Sequence, residues 1–311
     1  MRVLQATSES LKEAGRIIRE GGLVILPTET VYGLAANALN EAAICRLYQV
    51  KRRPLENPLI VHVGSVQQAK ELAMEWPREA ELLAEREWPG PLTLVVKRKP
   101  SIPDVTCAGL DTVALRMPNH PVALDVIQYA GVPVAAPSAN PFTRLSATRV
   151  EHLDPELAEA VDLVIDGGPC SIGLESTVID VTVFPPRILR PGGVSRASIQ
   201  AALKVVPGSV PPDGIRRSPG QYPRHYAPQA KVVLVDVLEP DQTGLTFDQP
   251  STSKQIKMPL DPAAYGAAMY DALHKLDAER PPEIFVERPP EEPSWEAVWD
   301  RLEKASAANS R

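Results

Sequence analysis

At 311 residues with 44% hydrophobic content, the chain is long enough for one large core or two ordinary domains, which excludes disorder throughout. A formal net charge of −6 excludes bulk electrostatic coating of nucleic acid or membrane, so any anion site must be local. Cys45, Cys107 and Cys170 are widely spaced and form no CxxC pair, so neither a disulfide framework nor a zinc site is expected.

Residues 1–12 are polar, and no stretch approaches the roughly 18 to 20 apolar residues of a membrane span, so a cytoplasmic protein with no membrane partner is expected. Ser8, Leu11, Ala14, Ile17 and Ile18 outline a capped amphipathic helix ending at Gly21-Gly22; residues 23–26 then read as a buried strand, with a loop from Pro27. Helices are predicted over 40–50, 65–74, 77–86 and 120–130, alternating with strands over 59–63, 92–96, 113–117 and 132–135, the pattern of a layered α/β domain. Strands over 162–165, 176–181 and 187–189, the last two close enough for a hairpin, predict a mixed sheet, and a helix over 195–204 closes this domain. Prolines and glycines give 205–229 the composition of a linker. A smaller α/β unit follows over 230–311, with strands at 232–237 and 284–287, a helix after Asp261 and another from about Ser294. Residues 241–258 are polar and poorly patterned, so a strand is expected to be missing there.

Five segments could carry chemistry. Pro27 to Gly33 places two hydroxyls, a carboxylate and a phenol at a strand end, which suits either a ligand-facing loop or a plain strand-to-helix turn. Lys51-Arg52-Arg53 either complement a helix C-terminus or, with Pro54 and Pro58 stiffening the following backbone, face phosphates beside Asn57. His62, inside an apolar strand, is either a satisfied core residue or a ligand. Thr112, Ala114 and Arg116 share a strand face, and Arg116 needs an anionic partner, either a ligand or a structural carboxylate. Ser138, Asn140 and Ser146 offer neutral hydrogen bonds in or after the turn at 135–141, and Ser176 and Arg190 sit at the ends of a hairpin. Phosphate-loop, GxGxxG, HExxH and GxSxG patterns are absent, so any bound phosphates would be held by side chains.

In order, PTETVYGL, KRRP, NPLIVH, WPGPLT, GLDTVALRMP, APSAN and GLESTVID resemble the YrdC-like family of L-threonylcarbamoyladenylate synthases across about 8–204. Residues 218–228, SPGQYPRHYAP, look like the motif that leads into the small Rossmann-like C-terminal domain of two-domain members. The resemblance implies a mixed twisted sheet with helices around an open, positively lined concavity as the catalytic domain, over 1–204. It also implies a nucleotidyltransferase that joins threonine, bicarbonate and ATP, releasing pyrophosphate, with Mg²⁺ carried by ATP and no protein ligand to it. By the same resemblance Thr30, His62, Arg116, the Ala136 backbone and Ser176 hold threonine. Lys51, Arg53, Asn57, Thr112, Ser138, Asn140, Ser146, Arg190 and the linker near Gln221 hold ATP, and Lys51, Arg53 and Arg190 neutralise phosphate charge without a covalent or acid–base residue. The product would pass to a threonylcarbamoyl-transferase complex that modifies tRNA next to the anticodon, so tRNA would be met indirectly.

A mixed anhydride hydrolyses in water, so 218–226, with Tyr222, His225 and Tyr226, is expected to act as a lid. Gln221, Tyr222 and Pro223 stand where relatives usually carry Met, Lys and an aromatic, a departure that touches side-chain contacts to the triphosphate. Rival readings are an RNA-binding translation-associated module, a nucleotide sensor without turnover, and a carbamoyl-transfer maturation enzyme. The last would need acylphosphatase and zinc-finger regions that the sequence does not display.

Overall fold

The computed structural model describes residues 1–208, 218, 220, 222 and 225–307. Leu23 and Ile25 pack into one apolar cluster while Val24 and Leu26 pack into another, the period-2 alternation of a strand covered on both faces. That strand, β2 (Val24–Leu26), belongs to a mixed ten-stranded sheet with β1 (Val3–Gln5), β3 (Gly33–Asn37), β4 (Ile60–His62), β5 (Leu92–Lys97), β6 (Thr112–Arg116), β7 (Val134–Ala135), β8 (Leu163–Asp166), β9 (Thr177–Asp180) and β10 (Arg187–Arg190). The order across the sheet is β1-β8-β2-β3-β7-β4-β6-β5-β9-β10.

Helices α1 (Ser8–Arg19) and α5 (Pro121–Ala130) cover one face, and α2 (Glu41–Lys51), α3 (Val66–Leu72) and α4 (Arg78–Glu87) bury their apolar sides in the other cluster. Local chemistry starts and stops them. The Thr7 and Ser10 side chains cap α1 reciprocally, the Asn40 side chain caps α2, and Pro121 opens α5 while Gly131 at φ 66 ends it. Short α6 (Pro155–Glu159) and α7 (Arg196–Leu203) complete this domain.

The second domain is a parallel sheet in the order β11-β14-β12-β13, from β11 (Lys231–Val235), β12 (Gly244–Thr246), β13 (Gln255–Lys257) and β14 (Glu283–Glu287). Helices α8 (Pro262–Ala278) and α9 (Glu296–Ser306) pack with it.

Two expectations are corrected, at 241–258 and at Pro27, and one strand is added. Residues 241–258 contain two strands rather than a gap; they are three residues long and tied by polar side chains, Thr246 Oγ1 and the Phe247 N–H both donating to Glu287 Oε2 at 2.9 and 2.6 Å, which leaves no hydrophobic period to read. The polar N-terminus also contributes a strand, β1, parallel to β8. The loop at Pro27 joins two antiparallel strands, β2 and β3, not a strand and a helix.

The two domains share a core. Val31, Leu145, Leu174 and Tyr226 belong to the apolar cluster of the second domain. His152 stacks on His274 of α8 at 4.1 Å between ring centroids. Gly173, at φ 70, is pressed against α8 so closely that a Cβ would lie 2.7 Å from the Ala267 Cα and carbonyl oxygen. Gly173→Ala therefore meets both left-handed strain and backbone overlap and is expected to cost about 2 kcal/mol or more. Denaturant titration checks this, and an unchanged midpoint would contradict the tight domain contact.

Candidate active site

The connection between β2 and β3 folds its polar side chains inward. Thr28 Oγ1 donates to the Val31 carbonyl at 2.7 Å and accepts the N–H groups of Thr30 and Val31 at 3.2 Å, a hydroxyl-braced turn. Thr30 Oγ1 in turn accepts Arg116 Nη1 at 2.9 Å.

Arg116 ends β6 and has the anionic partner its position required. Its Nη2 lies 2.8 Å from Glu29 Oε1, both side chains being 4% exposed, and its Nε donates to the Gly90 carbonyl at 3.2 Å. The neighbouring strand β4 places His62 in register with Arg116. Burial first, and then the Arg116 charge, push the His62 pKa well below the ordinary histidine range, so the ring is a neutral donor and acceptor. Neither ring nitrogen has a partner among the described residues, which is not the pattern of a satisfied core histidine.

Thr30, His62, Arg116, Ala136 and Ser176 line one cavity together with Arg53, Ser138, Glu175, Arg190, His225 and Tyr226. The structure thus brings together all five residues expected around threonine and three of those expected around ATP. The others sit behind or beside the cavity. Lys51 Nζ donates to the Asn140 carbonyl at 2.5 Å and to the Ser138 carbonyl, so it backs the turn that lines the cavity. Burial, then Arg53, lowers its pKa well below the ordinary lysine range. Asn57 is fully buried, and neither of its side-chain polar atoms has a partner among the described residues. Asn140 Nδ2 donates to the carbonyls of Pro141 and Arg144 at 2.9 Å, Ser146 Oγ donates to Glu175 Oε1 at 2.6 Å, and Thr112 pairs across the sheet with Lys97. Gln221 lies outside the described residues.

The KRR run divides. Arg52 adopts φ 50 at the end of α2 and points to solvent, pairing with Glu156 at 3.0 Å. Arg53 turns inward, donating from Nε to the Asn57 carbonyl at 3.1 Å and from Nη2 to the Pro58 carbonyl at 2.8 Å, and burial lowers its pKa to about 10, so it stays charged at neutral pH. Arg190, at the end of β10, holds the Ser176 carbonyl with Nε at 3.1 Å and Nη2 at 2.8 Å.

Tyr226 and His225 line the cavity from the linker side, and its volume is about 40 Å³, room for roughly three waters. The ring of Phe142 meets Tyr222 edge-on at 5.0 Å and His225 at 5.7 Å. Burial pushes His225 down to about 3, so this side carries no charge of its own at neutral pH.

Sequence reasoning passed over Glu29 and Glu175, although both lie inside the motifs it singled out. It also missed Tyr270 and Arg301, which reach Glu175 from the second domain. The carboxylates carried a signal, as acidic residues between apolar strand ends and hydroxyls; Arg301 had none, lying 126 residues from its partner. Arg116→Met strands the Glu29 carboxylate and is expected to cost about 3–5 kcal/mol in denaturant titration, most of it recovered when Glu29→Gln is added. No recovery would contradict the pairing.

A family model described as "Telomere recombination", for Sua5, YciO and YrdC proteins, matches residues 16–192, and one for the C-terminal domain of threonylcarbamoyl-AMP synthase matches 194–307. The threonylcarbamoyl-AMP synthase of Bacillus subtilis is 36% identical over 330 residues, covering 97% of this chain and 94% of its own. That of Pyrococcus abyssi is 46% identical over 230 residues, covering 73% of this chain and 68% of its own. The crystal structure of P. abyssi Sua5 complexed with L-threonine matches with a TM-score of 0.90 at 36% identity, covering 98% of this chain and 97% of that one.

Proposed function

This chain belongs to the Sua5/YciO/YrdC family in the two-domain form of the threonylcarbamoyl-AMP synthases, and from that premise we propose that it makes threonylcarbamoyl-AMP and pyrophosphate from L-threonine, bicarbonate and ATP. The observation that supports this most is the single cavity that combines a carboxylate clamp, neutral hydrogen-bonding groups and cations held by carbonyls.

Arg116 takes the threonine carboxylate with its planar fork, while Thr30, Ser176, the Ala136 backbone and the neutral His62 ring satisfy the hydroxyl and amine. The threonine amine and bicarbonate-derived CO₂ give a carbamate, whose oxygen attacks the α-phosphorus of ATP as pyrophosphate leaves. The protein's task is alignment and charge neutralisation, with no covalent nucleophile. Arg53 and Arg190 supply positive charge, Ser138 lines the nucleotide side, Lys51 braces the turn that carries it, and Asn57, Thr112, Asn140 and Ser146 back that wall. A metal held by the protein does not fit, because Glu175, the carboxylate in the described lining, is already paired with Arg301, and Glu29 behind the wall is paired with Arg116. Mg²⁺ accordingly arrives on the ATP phosphates, and no step is assigned to it.

Substrates do not enter 40 Å³, so Tyr226 and His225 move aside for binding and return over the product, shielding the anhydride from water. The product then serves a threonylcarbamoyl-transferase complex acting on the tRNA adenosine beside the anticodon. No helix among the described residues is long and apolar enough to cross a membrane.

Pyrophosphate release with ATP, Mg²⁺ and bicarbonate is expected to require threonine, with serine a weaker substitute; release independent of threonine overturns the reading. Deleting 218–226, or Tyr226→Ala alone, is expected to lower the yield of intact adenylate per pyrophosphate released. An unchanged ratio removes the lid from the mechanism.

A further inference from the structure

Arg301 stands on α9 of the second domain with no exposed side-chain surface and reaches across the domain boundary. Its Nε donates to Glu175 Oε2 at 2.7 Å, its Nη2 donates to the Pro191 carbonyl at 3.0 Å, and its guanidinium carbon lies 4.8 Å from the centroid of the Tyr226 ring. Asp300 holds the same guanidinium at 2.5 Å and is itself held by Lys304 at 2.6 Å, so the fork is fixed from behind. One residue later in that chain of contacts, the Lys304 carbonyl accepts the His225 N–H at 3.3 Å. Helix α9 therefore touches the cavity wall, the exit of β10 and the linker at once.

Glu175 poses an electrostatic problem for a triphosphate site. It is 5% exposed and lines the cavity, so its charge is felt there with little screening. Within its own domain it accepts a hydrogen bond from a neutral group, Ser146 Oγ, and Tyr270 of α8 adds another neutral donor at 3.2 Å. Among the described residues, the cation that forms an ion pair with it, Arg301, comes from the second domain.

We propose that Arg301 is a positioning and charge-matching residue of the ATP site, cancelling Glu175 so that the guanidinium groups of Arg53 and Arg190 set the potential of the cavity, while seating Tyr226 of the linker. The second domain is then a working part of the nucleotide site. This rests on the synthase reading above.

The groups facing Glu175 are Arg301 and Tyr270 from α9 and α8, Arg190 from β10, Ser146, and His225 and Tyr226 from the linker. Burial favours the protonated acid, but Arg301 and then Arg190 outweigh it and hold the carboxyl down at about 2. Removing Arg301 takes away the largest of the influences that hold the carboxyl down, so Glu175 titrates higher.

Steady-state pyrophosphate release by the full chain tests this. Arg301→Met is expected to raise the ATP KM about tenfold, equivalent to about 1.4 kcal/mol, and to leave the threonine KM within about twofold. Adding Glu175→Gln should bring the ATP KM back, and Glu175→Gln alone should leave it at or below the wild-type value. The excess of the Arg301→Met KM over wild type should shrink as pH falls and Glu175 takes up a proton, and not as pH rises. A contact that merely supports the fold predicts the opposite symmetry, both single variants being impaired alike with no substrate preference. An unchanged ATP KM in active Arg301→Met, or a Glu175→Gln variant whose ATP KM rises as much, overturns the inference. Should Arg301→Met fail to fold, Glu175→Gln answers the same question alone. Absence of threonine-dependent release from the wild type overturns the synthase reading instead, and the inference falls with it.

Discussion

Charge taken out of water has to be matched, and the way this protein matches it organises everything around the cavity. The carboxylates Glu29 and Glu175 are each paired with an arginine, Arg116 or Arg301, so their charge is cancelled. Lys51 and Arg53 are held differently, by the backbone carbonyls of Ser138 and Asn140 and of Asn57 and Pro58, while Arg190 reaches the Ser176 carbonyl and the hydroxyls of Ser176 and Tyr226. A carbonyl dipole stabilises a cation without neutralising it. The guanidinium groups of Arg53 and Arg190 are thus carried to the wall of a cavity in a chain whose net charge is −6.

That arrangement depends on both domains. The apolar cluster of the second domain extends to Val31, Leu145, Leu174 and Tyr226, and Gly173 lets α8 approach the strand that begins just after Glu175. Shared packing of this kind fixes the orientation of α9, and with it the fork of Arg301, to the precision that a buried ion pair needs.

Chemistry that asks only for alignment needs rigid walls and a roof that opens. The walls come from strand ends and braced turns: Thr28 locks the turn that carries Thr30, and β4 and β6 in register hold His62 beside Arg116. Tyr222, His225 and Tyr226 of the linker meet these walls through ring contacts with Phe142 and with one another.

Much of this was legible in the residues. Period-2 burial at 23–26, helix caps at Asn40 and Asp261, and the hairpin of β9 and β10 follow from local rules, because each depends on side chains within a few positions of one another. So did the two-domain α/β class and the ordered motifs that announced the family. Strands β1, β12 and β13 escaped because three residues carry no period, and their stability comes from partners far along the chain. The same limit applied to the site. Composition and motif order named Thr30, His62 and Arg116 as candidates, but which of the Lys51-Arg52-Arg53 cations turned inward was decided by the left-handed turn at Arg52. That Glu175 is matched by Arg301 was decided by docking of two domains, since an ion pair is set by distance in space and leaves no trace in spacing along the sequence.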